Sequence, residues 1–546
     1  MQKGFPSHKS VKEIARHSRV YGLISEFVIY RMCVAYRSFT TNISEISILI
    51  AVVLCFLYYN CKRTFNYWRD KNVVGPKPIP FFGNLKDSAL RRKHVGIVYK
   101  EVYDQFPNES VIGIYRMTNP TLIIRDLDIV KHILIKDFDV FPDRGVEFSK
   151  EGLGDNLFHC DSTTWKALRN RLTPIFTSGK LKSTMNIIDR YADQLVNYLD
   201  LTTAANMEQE MHSIFQKYTM ASIISASFGF DIDFFEENQE LIEKVGHYIF
   251  RSTYAAEVDM LLPNIWRKVN VSLYPKLVNK FSYNVVKTAI SQRHGVSTIR
   301  NNLMDAMFAM KKEQELEFVE KQAELKVTDH VMAGQVFIFF AAGFGNNALS
   351  LSYALFQLAK HQDAQHKLIE EIDSVLEKYD GKLTYDGIKD MPYLDKVFSE
   401  ILRMNALTNS IQRSAKKDYN IPGTDIIIES GTTVIISPYA IHRDENLYPD
   451  PDNFDPERFS PENSANRHPC AYLPFGIGPR SCLGRQLAKL QFFSAIVKIF
   501  SKFRVEPSEK TKKIEDYDPM NTLLATRGGI WVNIVPREVY DFTNHL

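Results

Sequence analysis

The sequence predicts a mostly α-helical protein with small β-sheets, built as one large domain behind an N-terminal apolar segment. Three observations carry this. Helical periodicity recurs over long windows from residue 95 onward, strand patterns are few and short, and no repeat or low-complexity stretch divides the 546 residues. A composition of 45% hydrophobic and 24% charged residues with net charge +3 is that of a globular enzyme. It excludes a disordered chain, and no Lys/Arg run is long enough to suggest a nucleic-acid partner. The six cysteines are scattered without CxxC spacing, which fits a reducing compartment better than a disulfide scaffold.

The elements follow in order. Residues 1–42 read as an N-terminal extension. Its Lys3, Lys9, Lys12, Arg16, Arg19, Arg31 and Arg37 sit awkwardly before an anchor, and a start at Met32 would remove most of them. Residues 43–59 are apolar and slightly short of the ~20 residues of a spanning helix. Lys62, Arg63 and Arg69 follow, which places the C-terminal side in the cytosol and makes this segment an uncleaved transmembrane anchor. A basic, Pro-rich linker covers 60–80, and Pro76, Pro78 and Pro80 at alternate positions make its stretch from Gly75 extended and stiff.

Residues 81–546 read as one large domain. Helices are expected at 95–105, 127–136, 165–176, 181–199 and 393–405, with strands at 110–115, 121–125, 432–437 and 529–535. The helical pattern over 327–378 is too long for one globular helix and should break near His361. Its stretch 336–344 has almost no polar face, so this helix is buried.

The chemistry concentrates in Phe475-Gly-Ile-Gly478-Pro-Arg480-Ser-Cys482-Leu-Gly484. Gly478 and Gly484 allow a tight turn and close backbone approach, and a helical pattern starts just after Cys482. A thiol at a helix N-terminus beside an arginine has a lowered pKa and is a ready metal ligand. The five fixed residues of F-x2-G-x-R-x-C-x-G should occur by chance in fewer than ~1 in 10,000 chains of this length.

With this motif the chain closely resembles the cytochrome P-450 family from Gly75 to the C-terminus. The resemblance implies haem b with Cys482 as axial ligand to the iron, in a loop shaped by Phe475, Gly478 and Gly484. It implies a buried brace of Glu400 and Arg403 (E-x-x-R) with Arg458, and haem-carboxylate partners Trp165 and Arg169 (W-x-x-x-R), Arg413, Arg480 and Arg144. By family position the substrate pocket draws on Phe158, Phe337, Phe340, Phe344, Ile411 and Leu523, an apolar lining for a lipophilic small molecule. The stretches 75–80, 422–425 and 441–448 are most similar to insect microsomal detoxification members. Such a resemblance implies residence in the endoplasmic reticulum membrane with the domain facing the cytosol. It also implies electrons from NADPH through a reductase met by Lys166, Arg171, Arg485 and Lys489, and cytochrome b5 as a further candidate partner.

One departure stands out. The family's central helix normally carries an acid and a threonine after Ala–Gly, and these help supply protons at the oxygen site. This chain has Ala342-Gly343-Phe344-Gly345-Asn346-Asn347. Gly343 should leave room for a small ligand, and two glycines so close together suggest a locally widened helix. Three readings follow, in order of preference. Asn346 or Asn347 holds a proton-relaying water and monooxygenation survives; or the enzyme rearranges hydroperoxides without dioxygen, as an isomerase or dehydratase; or the protein is a weakly catalytic haem- and ligand-binding relative.

Overall fold

The computed structural model describes positions 47, 48, 51, 52, 55, 58 and 59, then residues 62–146, 153–232, 239–261, 265–293, 302–317, 326–511 and 513–537. The expected extension over 1–42 lies outside the described residues. The chain divides into two units, 1–63 and 64–546. In the first, the described positions are helical, and Ile48, Val52, Tyr58 and Tyr59 are exposed.

In the second unit the longer elements run α1 (Val95–Gln105), β1 (Val111–Arg116), β2 (Asn119–Ile124), α2 (Ser162–Leu172), α3 (Ser178–Thr203), β3 (Glu208–Glu210) and α4 (Met211–Phe228). They continue as α5 (Gln239–Phe250), α6 (Lys276–Arg293), α7 (Leu303–Glu317), α8 (Asp329–Lys360), α9 (Gln362–Lys378) and α10 (Pro392–Met404). Last come β4 (Ile411–Ser414), β5 (Thr433–Ile436), α11 (Arg485–Lys502), β6 (Phe503–Pro507) and β7 (Trp531–Pro536).

The expected long helix does break at His361, whose φ of −115° and ψ of 76° leave the helical region between α8 and α9. The hydroxyl of Thr328 caps α8 by accepting from the Val331 N–H. α8 is long and apolar enough to cross a membrane, but α4, α5, α6, α10 and α11 pack around it and bury it as the core helix. The expected widening is absent: α8 is regular α-helix throughout. Its glycines serve packing instead. A Cβ on Gly343 would fall 2.6 Å from Ile223 of α4, and one on Gly345 would fall 2.4 Å from Phe250 of α5. Gly343 thus admits the neighbouring helix α4.

Two sheets flank this bundle. One has the order β1-β2-β5-β4, parallel only between β2 and β5; the other is antiparallel in the order β3-β7-β6. Between the helix Tyr67–Asp70 and the turn at 80–82, residues 73–78 carry no helix or turn and are pinned to β1, where Gly113 N–H donates to Val74 O at 2.8 Å. The pattern at 127–136 gives an α-helix over Leu127–Lys131 that continues as a π-helix over His132–Lys136. This matters for the site, because the Leu134 carbonyl lies 2.0 Å from where a Cβ on Gly478 would be.

Candidate active site

Cys482 ends a loop that two left-handed glycines fold back on itself, Gly476 at φ +64° and Gly478 at φ +79°. Cys482 N–H donates to Phe475 O at 2.8 Å, and Ser481 N–H to Gly478 O at 3.0 Å. Arg169 Nη1 donates to Ser481 O at 2.8 Å. Gly484 lies in the turn that leads into α11, at an ordinary φ of −87°, and as the N-cap of that helix its N–H reaches the Cys482 sulfur.

The thiol is enclosed by protein but open to a cavity of about 320 Å³. Burial raises its pKa above the ordinary cysteine value, although the Gly484 N–H, Arg169, Arg144 and Arg485 pull it down. The lowered pKa expected for a helix N-terminus is therefore not found, because desolvation outweighs the nearby positive charge. Metal coordination supplies what those charges do not, since a coordinating thiol is deprotonated outright.

Three arginines converge on the same cavity. Arg413 and Arg480 are buried, and Arg144 stacks over the Phe158 ring at 3.8 Å. Buried Nε atoms of Arg144, Arg413 and Arg480, and Nη1 of Arg480, have no protein acceptor. Burial and mutual repulsion push Arg144 well below the usual arginine range, and burial with Arg480 alongside brings Arg413 down to about 10. Asp143, 3.6 Å from Arg480, is the carboxylate paired with this cluster. Arg480 also lies over the Trp165 ring at 4.5 Å, and Trp165 and Arg169 line the cavity from one face of α2. Unsatisfied guanidinium N–H groups in such a place call for an anion, and the two carboxylates of a haem fit the need.

Behind the loop, Arg403 grips Glu400 with two hydrogen bonds of 2.7 and 2.8 Å, both side chains fully buried. Glu400 also accepts from Asp455 N–H at 3.0 Å and lies 3.4 Å from Arg458 Nε. Arg403 Nη1 donates to His442 O at 2.8 Å, and the His442 ring accepts from Leu473 N–H at 2.8 Å. This chain of contacts ties the buried pair to the start of the cysteine loop.

Residues 73–532 match the sequence profile of the family described as Cytochrome P-450. The chain belongs to the cytochrome P-450 family. It is 48% identical over 494 residues to cytochrome P-450 6B1 of Papilio polyxenes, covering 90% of this chain and 99% of that protein. It is 46% identical to cytochrome P-450 6B2 of Helicoverpa armigera, covering 90% and 98%, and 33% identical to cytochrome P-450 6a2 of Drosophila melanogaster, covering 89% and 98%. The family makes this chain a haem-iron oxidoreductase of the monooxygenase type.

The pocket of this P-450 differs from its expected lining. Phe158 and Ile411 line the cavity, but Phe337, Phe340, Phe344 and Leu523 do not. Phe340 and Phe344 stack on each other at 5.3 Å and meet Phe281 and Phe250, while Phe337 meets Tyr274. Phe340 and Phe344 therefore pack against neighbouring helices, and Phe337 against the bend that precedes α6. Ile338, Phe339, Ala342, Gly343, Asn346, Asn347 and Ser350 are the face of α8 turned to the cavity. Their spacing could have been read from Ala342 and Asn346 by helical period. Leu523 is held in a C-terminal turn docked against α1 and α5, where Asn521 O lies 3.1 Å from His94 Nε2 and Thr522 N–H donates to Phe250 O.

Both asparagines line the cavity, but their side chains are held differently. Asn346 lines the cavity, its Nδ2 donating to Ala342 O at 3.1 Å. Asn347 is buried and donates to α11. Gln335, Gln491 and His442 escaped the sequence reading. Gln335 alone carried a signal, as a polar residue in an apolar run.

Proposed function

We propose that this protein inserts one oxygen atom of dioxygen into a lipophilic small molecule, a xenobiotic or an endogenous lipid. Electrons come from NADPH through a membrane reductase, with cytochrome b5 as a second donor. The observation that carries the reading is one cavity shared by Cys482, the unsatisfied arginine N–H groups and the Ala342–Asn346 face of α8.

Bound haem with a thiolate ligand supplies the activation of dioxygen. The chain's own residues bind, orient and exclude. Arg144, Arg413, Arg480, Trp165 and Arg169 hold the carboxylates. Leu157, Phe158, Phe339, Leu407 and Ile411 take up apolar substrate and keep water out. Asn346 stands in the cavity as a hydrogen-bonding amide that can hold a water but cannot act as an acid. Exposed Lys166, Arg171 and Arg485 suit an acidic reductase surface, whereas Lys489 is already paired with Asp395 at 2.6 Å. The exposed apolar side chains at 48, 52, 58 and 59 suit the anchor role of residues 43–59, with the domain on the cytosolic side of the endoplasmic reticulum.

A second reading, dioxygen-independent rearrangement of hydroperoxides, is favoured by one observation. Among the described residues lining the cavity there is no carboxylate. Turnover of lipophilic probes in membranes decides between them. Product that depends on NADPH and reductase supports the monooxygenase, and product from organic hydroperoxide alone supports the rearrangement.

A further inference from the structure

We propose that Asp143 is a positioning residue that sets the reduction potential of the haem iron through Arg480, holding it below the value the arginine cluster alone would give. The inference rests on the haem-thiolate reading given above. Arg144, Arg169, Arg413 and Arg480 all line the cavity. With haem bound, four guanidiniums meet two carboxylates and one thiolate, which leaves one positive charge unmatched. Among the described residues, the only ion pair that any of the four makes is Arg480 Nη2 with Asp143 Oδ1, at 3.6 Å.

The fold fixes that carboxylate through its backbone. Asp143 pairs with Ser414 at the outer edge of β4, where Ser414 N–H donates to Asp143 O at 2.9 Å. This places it beside the strand of Arg413 and one residue before Arg144, whose carbonyl accepts from Gln412 Nε2 at 2.8 Å. Its two oxygens meet different partners. Oδ1 is sealed from solvent and accepts no hydrogen bond among the described residues, so the Arg480 charge is what it meets. Oδ2 lies 3.4 Å from Lys416 Nζ, whose side chain is 48% exposed. The Arg480 side chain has no exposed surface, and its Nε and Nη1 keep no protein acceptor.

A carboxylate in this place acts on the iron by its charge. Reduction from ferric to ferrous removes one positive charge from the haem, so a nearby negative charge favours the ferric form and a surplus of positive charge the ferrous form. Because Arg480 is buried, its contact with Asp143 is little screened by salt, unlike the half-exposed Lys416 contact on the outer side. Asp161 does not substitute for Asp143. Its Oδ1 accepts from the N–H groups of Thr163 and Thr164 and its Oδ2 from the Thr164 hydroxyl, which commits it to capping α2.

The test is a spectroelectrochemical titration of the ferric–ferrous couple in holoprotein, beside a thermal melt. Asp143→Asn keeps the shape and removes the charge, whereas Asp143→Glu keeps the charge. The expected result is a more positive midpoint in Asp143→Asn, read as severalfold more ferrous protein at the parent's midpoint potential; a tenfold change is about 59 mV for one electron. Asp143→Glu is expected to stay with the parent. A midpoint in Asp143→Asn equal to or below the parent's overturns the proposal even where the melt falls, because the ion pair then serves stability alone. An Asp143→Glu midpoint displaced as far as that of Asp143→Asn also overturns it. If Asp143→Asn yields no holoprotein, the charge-balanced variant Asp143→Asn with Lys416→Gln decides: a positive shift supports the proposal, and an unchanged midpoint overturns it. A parent protein without a thiolate-type carbon monoxide spectrum would instead refute the haem-thiolate reading itself.

Discussion

Asn347 reaches from the core helix to the helix behind the thiol, its Nδ2 donating to Gln491 Oε1 and to Ala488 O, each at 3.0 Å. Gln491 passes the link on to Ser222 Oγ at 2.8 Å, and Tyr218 OH donates to Gln491 O at 2.9 Å. Asn347, the residue after the family's hydroxyl position, is thus a buried tie between α8, α11 and α4. Asn347→Leu leaves the amide oxygen of Gln491 without its donor, at about 1–3 kcal/mol, while Ala488 O keeps its intrahelical partner. The expected outcome is a holoprotein that unfolds several degrees lower in a thermal melt. An unchanged melt means the tie contributes nothing.

Glu400 accepts two hydrogen bonds from Arg403 with no solvent at either side chain. Removing one member of such a pair costs about 3–5 kcal/mol, because the other charge stays buried. Glu400→Ala is therefore expected to express without haem, read by the carbon monoxide difference spectrum. Stable holoprotein from this variant contradicts the brace assigned to it.

These two cases show what was legible in sequence. The i,i+3 pairing of Glu400 with Arg403, the Cys482 loop and the break at His361 are local, so spacing and periodicity exposed them. Which face of α8 meets the cavity was not legible from composition. The run 336–344 is apolar on all sides, and the phenylalanines at 337, 340 and 344 suit a core as well as a pocket. α4 was missed for the same reason, being buried around most of its circumference. The raised pKa of Cys482 depends on enclosure by distant segments, which no local pattern encodes.

His442 carries a pH dependence. Burial, reinforced by Arg403, holds its pKa near 3, below the ordinary 6.5, and burial brings His94 to about 4. The unfolded chain then binds more protons than the folded one between about 6.5 and those values, so stability falls as pH drops through that window. Each histidine contributes at most about 1.4 kcal/mol per pH unit there. His442→Gln keeps an acceptor for Leu473 N–H but removes one titrating site. Its loss of unfolding midpoint between pH 7 and pH 5 should be smaller than the parent's; an equal loss rules out His442 as a contributor.

Gln335 is fully buried and holds the segment before α2 against α8. Its Oε1 accepts from Leu157 N–H at 3.0 Å, and its Nε2 donates to Asp155 O at 2.8 Å. Leu157 and Phe158 in turn line the cavity. Gln335→Leu is expected to retain haem while weakening spectrally detected binding of lipophilic ligands by about tenfold, the equivalent of ~1.4 kcal/mol. Ligand binding equal to the parent's would free Gln335 of any role in shaping the pocket.

Restoring the family's acid–hydroxyl pair is not a symmetrical repair. Asn346→Thr should be accepted, because a threonine hydroxyl can donate to Ala342 O at i−4 as the amide now does. It is expected to keep the melting temperature and to raise the fraction of NADPH recovered as product. Gly345→Glu meets Phe250, since even its Cβ would lie 2.4 Å from Cε2 and 2.5 Å from Cζ of that ring. Overpacking of this kind costs about 1–3 kcal/mol, so Gly345→Glu alone should lower the melting temperature. Gly345→Glu with Phe250→Ala should recover part of the loss, because the smaller side chain vacates the space. The measurement is the thermal melt of the three holoproteins beside their coupling ratios. A Gly345→Glu protein that melts with the parent would show that Phe250 yields freely, and that packing does not hold this position to glycine.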